Sequence, residues 1–300
     1  VTSERGDTVH VPVLLEKVLY YLAPISGRVY IDATVGPGGH AEAILEASAP
    51  NGRLLGLDRD PEALELARAR LLRFGDRVCL EQASFADLDV IACRRGFCPA
   101  DGVLFDLGVS SLQLASGQRG FSFRGGGYLD MRFGPEGPTA AELLRRLSER
   151  ELETLLRQFG EEPKARAIAR AVVQARRTAP IETSEQLSQL VERVYGGRRG
   201  RVHPATRTFQ ALRIAVNREL EVLDRGLDAA IKVLKPGGRL VVISFHSLED
   251  RIVKAKFRFW ASGAEPKVKV LTKKPVRPSE VEVRNNPRAR SARLRVAEVL

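Results

Sequence analysis

The chain has 300 residues, 44% hydrophobic and 28% charged, the balance of a soluble globular protein with one large domain or a domain carrying an insertion. No apolar run approaches the ~20 residues that cross a bilayer, and the opening residues lack the apolar core of a signal peptide, so a cytoplasmic protein with no membrane partner is expected. The net charge is +11, and residues 251–300 carry 14 basic side chains against 4 acidic ones, the footprint of a polyanionic partner such as nucleic acid.

His10 to Leu22 patterns as a short amphipathic helix, with Pro12 tolerated near its start, covering one end of a sheet. The stretch Arg28-Val-Tyr-Ile-Asp-Ala-Thr-Val-Gly-Pro-Gly-Gly-His40 follows. It reads as a buried strand, a glycine-rich turn and the start of a helix whose N-terminal amides point into the turn, an arrangement that holds nucleotide-like cofactors. Two cofactor classes fit. Gly36-x-Gly38-x-x-Ala41, with Asp58 further on, matches the loose dinucleotide fingerprint. Asp32, four residues before Gly36, suits instead a cofactor carrying an ammonium and a sulfonium, and sits badly beside a pyrophosphate. S-adenosylmethionine is therefore the better fit to this loop.

Gly52 to Asp58 is a second buried strand ending in an acid placed to accept the hydroxyls of a ribose. Asp60 and Pro61 then cap and open a helix with the stripe Leu64, Ala67, Leu71 and Phe74. Arg77 to Gln82 is a third strand, and Phe85 beyond it is a candidate to lie against an adenine; a core position under the next helix fits it nearly as well. Asp101 to Asp106 is the fourth strand, with Asp106 over the place of a transferred methyl. Cys79, Cys93 and Cys98 form no CxxC pair and the four histidines are scattered, so neither a disulfide framework nor a metal site is expected.

The α/β pattern breaks after this strand. The glycine- and aromatic-rich run 117–137 predicts a lid or substrate loop, with Phe121, Phe123 and Tyr128 as candidates to stack on a base or to pack onto neighbouring helices. Thr139-x-x-Glu142, Ser148-x-x-Glu151 and Thr183-x-x-Gln186 are capping boxes, and Gly160 and Gly196 read as helix stops. No strand pattern is evident from about 112 to 205, which predicts an inserted all-helical domain over 112–205, expected to bind the substrate, flanked by the α/β domain in two parts, 1–111 and 206–300. Helices over about 204–217 and 219–234 lead to Lys235-Pro-Gly-Gly, a turn into a fifth strand that is common in S-adenosylmethionine enzymes and unusual in NAD dehydrogenases. His246 and Ser247 lie just beyond that strand. Val268–Leu271 and Ser291–Val299 alternate with period two, as terminal strands joined by a Pro- and Arg-rich loop over 273–290.

These residues resemble the ribosomal RNA small-subunit methyltransferase H family over nearly the whole chain. The resemblance rests on His10-Val-Pro-Val-Leu, Asp32-Ala-Thr-Val-Gly-Pro-Gly-Gly-His, Leu57-Asp-Arg-Asp-Pro, Phe105-Asp-Leu-Gly-Val-Ser-Ser-x-Gln113-Leu, Arg119-Gly-Phe-Ser-Phe, Leu129-Asp-Met-Arg, Phe245-His-Ser-Leu-Glu-Asp-Arg and Asn286-Pro-Arg-Ala-Arg-Ser. It implies a Rossmann-like class I methyltransferase sheet with a helical insert between the fourth and fifth strands, acting on N4 of a cytosine in 16S rRNA near the decoding site. It implies cofactor contacts at Gly38, Gly39, His40, Asp58, Phe85, Asp106 and Gln113, and it suggests a homodimer. Asp106 and His246 are the candidate catalytic residues, with Ser110 beside them; residues 273–295 and Arg198–Arg201 are expected to grip RNA phosphates. The Asp/Ser-Pro-Pro-aromatic motif of many DNA amino methyltransferases is replaced here by Asp106-Leu-Gly-Val. An RNA-binding factor without turnover is the rival from another class.

Overall fold

A computed structural model describes residues 12–109, 113, 117–123, 126–197 and 203–300. The chain divides into two compact units, one holding residues up to Gly108 together with Val222–Leu300, the other Val109–Glu221.

The first unit is a seven-stranded sheet in the order β3-β2-β1-β4-β5-β7-β6. Its strands are β1 (Val29–Asp32), β2 (Arg53–Asp58), β3 (Val78–Gln82), β4 (Ala100–Asp106), β5 (Leu234–Ser244), β6 (Val268–Val270) and β7 (Arg293–Val299). β1 to β5 run parallel, and β7 pairs antiparallel with both β5 and β6. Both faces are covered, so the central strands read as near-continuous apolar runs. On one face Tyr30, Leu54, Leu104, Val241 and Ile243 meet Val18 and Leu22 of α1 (Leu15–Leu22), Ile44 of α2 (Gly39–Ala47) and Leu64 of α3 (Pro61–Leu71). On the other, Ile31, Leu55, Leu57, Val103, Phe105 and Val242 meet Leu88 and Ile91 of α4 (Leu88–Arg94) and residues of two later helices. The period-two alternation of side chains sorts the two sets.

The second unit is helical, with no strand among its described residues: α5 (Ala140–Arg146), α6 (Glu149–Gly160), α7 (Ala165–Ala175), α8 (Ser184–Tyr195) and α9 (Thr206–Asn217). All three predicted capping boxes form, at Thr139, Ser148 and Thr183. This unit extends beyond the expected limits of 112–205, because Phe209, Leu212 and Val216 of α9 are buried in one core with Leu152, Leu156 and Ile168. Gly160 is the last residue of α6 rather than a stop beyond it: a Cβ there would stand 2.6 Å from the Arg207 carbonyl oxygen, and Glu161 takes the left-handed cap instead. The unit boundary falls inside α10 (Glu219–Val233), which supplies Leu223 and Leu227 to the sheet's second face beside Val253 and Phe257 of α11 (Ser247–Trp260).

Two expectations change. The described residues of the aromatic run 117–137 pack into the helical core rather than standing off as a lid. Leu129 and Met131 are buried, Phe121 stacks on Phe133 at 5.8 Å, and Phe123 stacks on His203 at 4.5 Å. Asn217 fixes the run, donating to the Met131 carbonyl at 2.7 Å and accepting from the Phe133 amide at 2.8 Å. Of the three candidate stacking rings Tyr128 stays exposed, at 46%, whereas Phe121 is at 7%. The expected loop over 273–290 contains a helix, α12 (Glu280–Asn285), capped by the Ser279 hydroxyl, which accepts from the Glu282 amide.

Candidate active site

The chain runs outward from β1 to β3 and returns to β4 on the other side, so β1 and β4 flank the topological switch point, where open α/β sheets bind ligands beyond their carboxyl ends. Register places Asp32 against Leu104. Two residues further on, the Thr34 hydroxyl accepts from the Asp106 amide at 2.7 Å. The glycine turn that follows uses left-handed backbone at Gly36 (φ 51°) and Gly38 (φ 87°) to bring α2's first turn to the end of β1.

Three carboxylates stand at the ends of β1, β2 and β4. Asp32 is 1% exposed; its Oδ1 accepts from the Thr34 amide at 3.1 Å, and its Oδ2 has no hydrogen-bond partner. Burial pushes its pKa up to about 7, with the neighbouring Asp58 adding to the rise. Asp106 Oδ1 also lacks a partner, and burial, then the Asp32 and Glu249 charges, hold its pKa well above the carboxylate range. Asp58 accepts from the Gly36 amide through Oδ2 and from the Asp60 amide through Oδ1, both at 2.9 Å. Burial still carries it to about 6. The expected ribose acceptor thus also ties the glycine turn to β2.

His40 is buried, with Nε2 3.0 Å from the Val13 carbonyl oxygen and Nδ1 3.6 Å from Asp106 Oδ2. A carbonyl only accepts, so Nε2 carries the proton in the neutral ring and Nδ1 turns a lone pair toward Asp106. Phe85 is half-buried, packed edge-on against Phe105 at 5.2 Å. His246 is the N-cap of α11: its Nδ1 accepts from the Glu249 amide at 3.4 Å, and its Nε2 lies 3.1 Å from Glu249 Oε1, outside hydrogen-bond geometry. Glu249 is buried and accepts from the Phe245 and His246 amides. Gln113 is a buried residue of the helical unit. His10, Ser110 and Arg198–Arg201 lie outside the described residues.

Buried carboxylate oxygens without partners call for positive charge. A group bearing an ammonium and a sulfonium supplies it, whereas a pyrophosphate would bring more negative charge to three acids. The residues present therefore fit S-adenosylmethionine and disfavour a dinucleotide. The resemblance does not name Asp32 among its contacts, yet this acid has the deepest burial of the three; the signal in the sequence is its place four residues before Gly36.

The basic C-terminal stretch separates into two classes. Arg295 is buried and forks onto Asp250 at 2.6 and 3.1 Å, with Arg293 joining at 3.2 Å. These two hold β7 to α11 and are not available to phosphates. Lys273, Lys274, Arg277, Arg284, Arg288 and Arg290 are exposed.

A family model described as the MraW methylase family matches residues 7–300. A protein of Thermomicrobium roseum called ribosomal RNA small subunit methyltransferase H is 54% identical, covering 97% of this chain and 94% of its own length. Proteins of the same name from Pelobacter propionicus and Syntrophobacter fumaroxidans are 51% and 49% identical, covering 97% and 96% of this chain and 98% and 96% of their own.

Proposed function

The chain belongs to the MraW methylase family, and on that premise we propose that it transfers a methyl group from S-adenosylmethionine to the exocyclic N4 of a cytosine in small-subunit (16S) ribosomal RNA, near the decoding site. The observation that carries this is the pair of partnerless, buried carboxylate oxygens of Asp32 and Asp106 at the switch point. The small-subunit RNA comes from the names of the relatives, and the cytosine N4 is what the family resemblance set out above implies.

Bound S-adenosylmethionine supplies an electrophilic methyl group. The chain's share is to hold, orient and take up a proton. Asp32 answers the cationic groups, Gly38, Gly39 and His40 line the turn, and Asp58 accepts from the ribose while anchoring Gly36. Phe85 and Gln113 complete the proposed contacts. The cytosine amine is a poor nucleophile because its lone pair is delocalised into the ring. Asp106 would accept from its N–H and so favour a pyramidal nitrogen ready to attack the methyl. Asp106 Oδ2 and His40 Nδ1 face each other, so the pair can hold the proton that the amine gives up. His246 acts by capping α11 and so setting Glu249.

The base has to arrive unpaired or flipped. We assign the helical unit to substrate binding, and the six exposed basic residues of 273–290 to phosphates. No helix among the described residues is long and apolar enough to cross a membrane. We place the enzyme in the cytoplasm, acting as a homodimer on the assembled subunit.

The test is transfer from labelled S-adenosylmethionine to small subunits lacking the modification and, in parallel, to protein-free 16S RNA. Label enters assembled subunits, and Asp106→Ala slows transfer by about 100-fold or more while still binding RNA. Transfer by Asp106→Ala at the wild-type rate would overturn the role of the fourth-strand acid. Cofactor and RNA binding without transfer would favour a factor that does not turn over.

A further inference from the structure

Residues 12–14 lie against the glycine turn. A Cβ on Gly39 would stand 2.6 Å from Pro12 Cγ, so the strap rests directly on the loop. The Val13 carbonyl holds His40 Nε2 at 3.0 Å and thereby fixes its tautomer. The next residue, Leu14, is buried and left-handed (φ 54°), a conformation that costs a residue with a Cβ about 1–2 kcal/mol. Its amide donates to Glu282 Oε1 at 2.6 Å, across 268 residues of sequence.

Glu282 is the third residue of α12, in a Ser-x-x-Glu sequence whose serine does accept from the Glu282 amide. In a full capping box the glutamate reaches back to the N-cap amide. Here that half is missing, and the carboxylate goes to Leu14 instead. Among the described residues the other Ser/Thr-x-x-Glu/Gln boxes at helix starts, at Thr139, Ser148 and Thr183, are reciprocal. A local rule broken at one place, in favour of a long-range contact onto a strained residue, marks a functional constraint.

We propose that Glu282 is a positioning residue for the cofactor loop: it pins the 12–14 strap, the strap holds His40, and His40 faces Asp106. This rests on the assignment of the Gly36–His40 loop to S-adenosylmethionine. Because α12 also carries the exposed Arg284, the end of the chain that meets polyanions is tied by one carboxylate to the loop that meets the cofactor.

The experiment is calorimetric titration of S-adenosylmethionine into wild type, Glu282→Ala, Glu282→Asp, Glu282→Gln and Glu280→Ala, with ¹⁵N spectra of the His40 ring. Glutamine keeps the accepting oxygen at the same reach, aspartate keeps the charge but is one methylene short, and Glu280 is an exposed acid on the same helix. Glu282→Ala and Glu282→Asp should bind about tenfold more weakly, the effect of leaving a buried amide without its acceptor, and should shift the His40 ring signals. Glu282→Gln and Glu280→Ala should match wild type in both readouts. If alanine does not fold, aspartate against glutamine carries the comparison. Wild-type affinity and an unmoved His40 spectrum in Glu282→Asp would overturn the proposal, as would glutamine failing alongside aspartate. If wild type itself does not bind, the cofactor assignment falls, and the His40 spectra alone decide the strap.

Discussion

Replacing Asp32 with asparagine separates what the buried carboxylate costs the fold from what it gives the ligand. The pKa stands at about 7 against an ordinary 3.8, so holding the group ionised at pH 8 costs about 4 kcal/mol. Asparagine keeps the size and the oxygen that accepts from the Thr34 amide, but its unpaired N–H groups forfeit about 1–3 kcal/mol. The ligand-free variant should therefore gain about 1–3 kcal/mol at pH 8, a rise in melting temperature of about 2–6 °C for a chain of this size. The sign follows from linkage. A carboxyl whose folded pKa is raised contributes stability that is complete below its unfolded pKa and is lost as pH climbs through the folded value. Wild type thus loses stability between about pH 4 and pH 7 that the variant keeps, so the two curves cross, and at low pH the variant is the less stable by the about 1–3 kcal/mol of its unpaired N–H groups. Cofactor affinity should move the other way, falling about 10- to 100-fold with the loss of a charge-assisted hydrogen bond. Thermal melts over this pH range and calorimetry with S-adenosylmethionine read both. A variant that melts lower than wild type at pH 8, or that binds the cofactor as well, would refute the reasoning.

Cationic cofactor binding should draw protons off Asp32 and Asp58, so affinity should climb between about pH 5 and pH 8, with S-adenosylhomocysteine, which lacks the sulfonium charge, showing a shallower slope; equal slopes would count against the charge argument. Asp58→Ala should weaken cofactor binding doubly, losing the ribose acceptor and freeing the Gly36 amide, and unchanged affinity by calorimetry would remove Asp58 from the site. Charge reversal at Lys273, Lys274, Arg277, Arg284, Arg288 and Arg290 should weaken RNA binding and flatten its salt dependence; an unaltered salt slope would move the RNA surface elsewhere. Arg295→Ala should instead destabilise the fold by about 3 kcal/mol, because it leaves Asp250 buried with a poorer partner, and wild-type melting would contradict that division of the basic residues.

Much of the sheet was legible because β1, β2 and β4 each end in an acid after an apolar run, and a glycine turn or a capped helix follows the first two. Asp32, Asp58 and Asp106 could be placed from sequence because a parallel sheet brings its strand ends to one edge. What sequence could not reveal is partnership. The capping boxes at Thr139, Ser148 and Thr183 are local and formed as expected, whereas the box that His246 forms with Glu249 has no usual cap residue to signal it. Arg293 and Arg295 counted toward a basic surface until their fork onto Asp250, more than 40 residues away, was visible. Phe121 and Phe123 stood equally for base stacking and for packing, and the fold of the helical unit decided for packing. The helix at Glu280–Asn285 was hidden by flanking prolines and arginines, although Ser279-x-x-Glu282 was present to mark it.

The most direct measurement is the identity of the modified nucleoside. Small-subunit RNA from a strain lacking this enzyme, after reaction with the purified protein and labelled S-adenosylmethionine, is digested and its nucleosides separated by mass spectrometry. The account predicts label in N4-methylcytidine, lost with Asp106→Ala. Label on any other nucleoside would keep the cofactor site and contradict the proposed target.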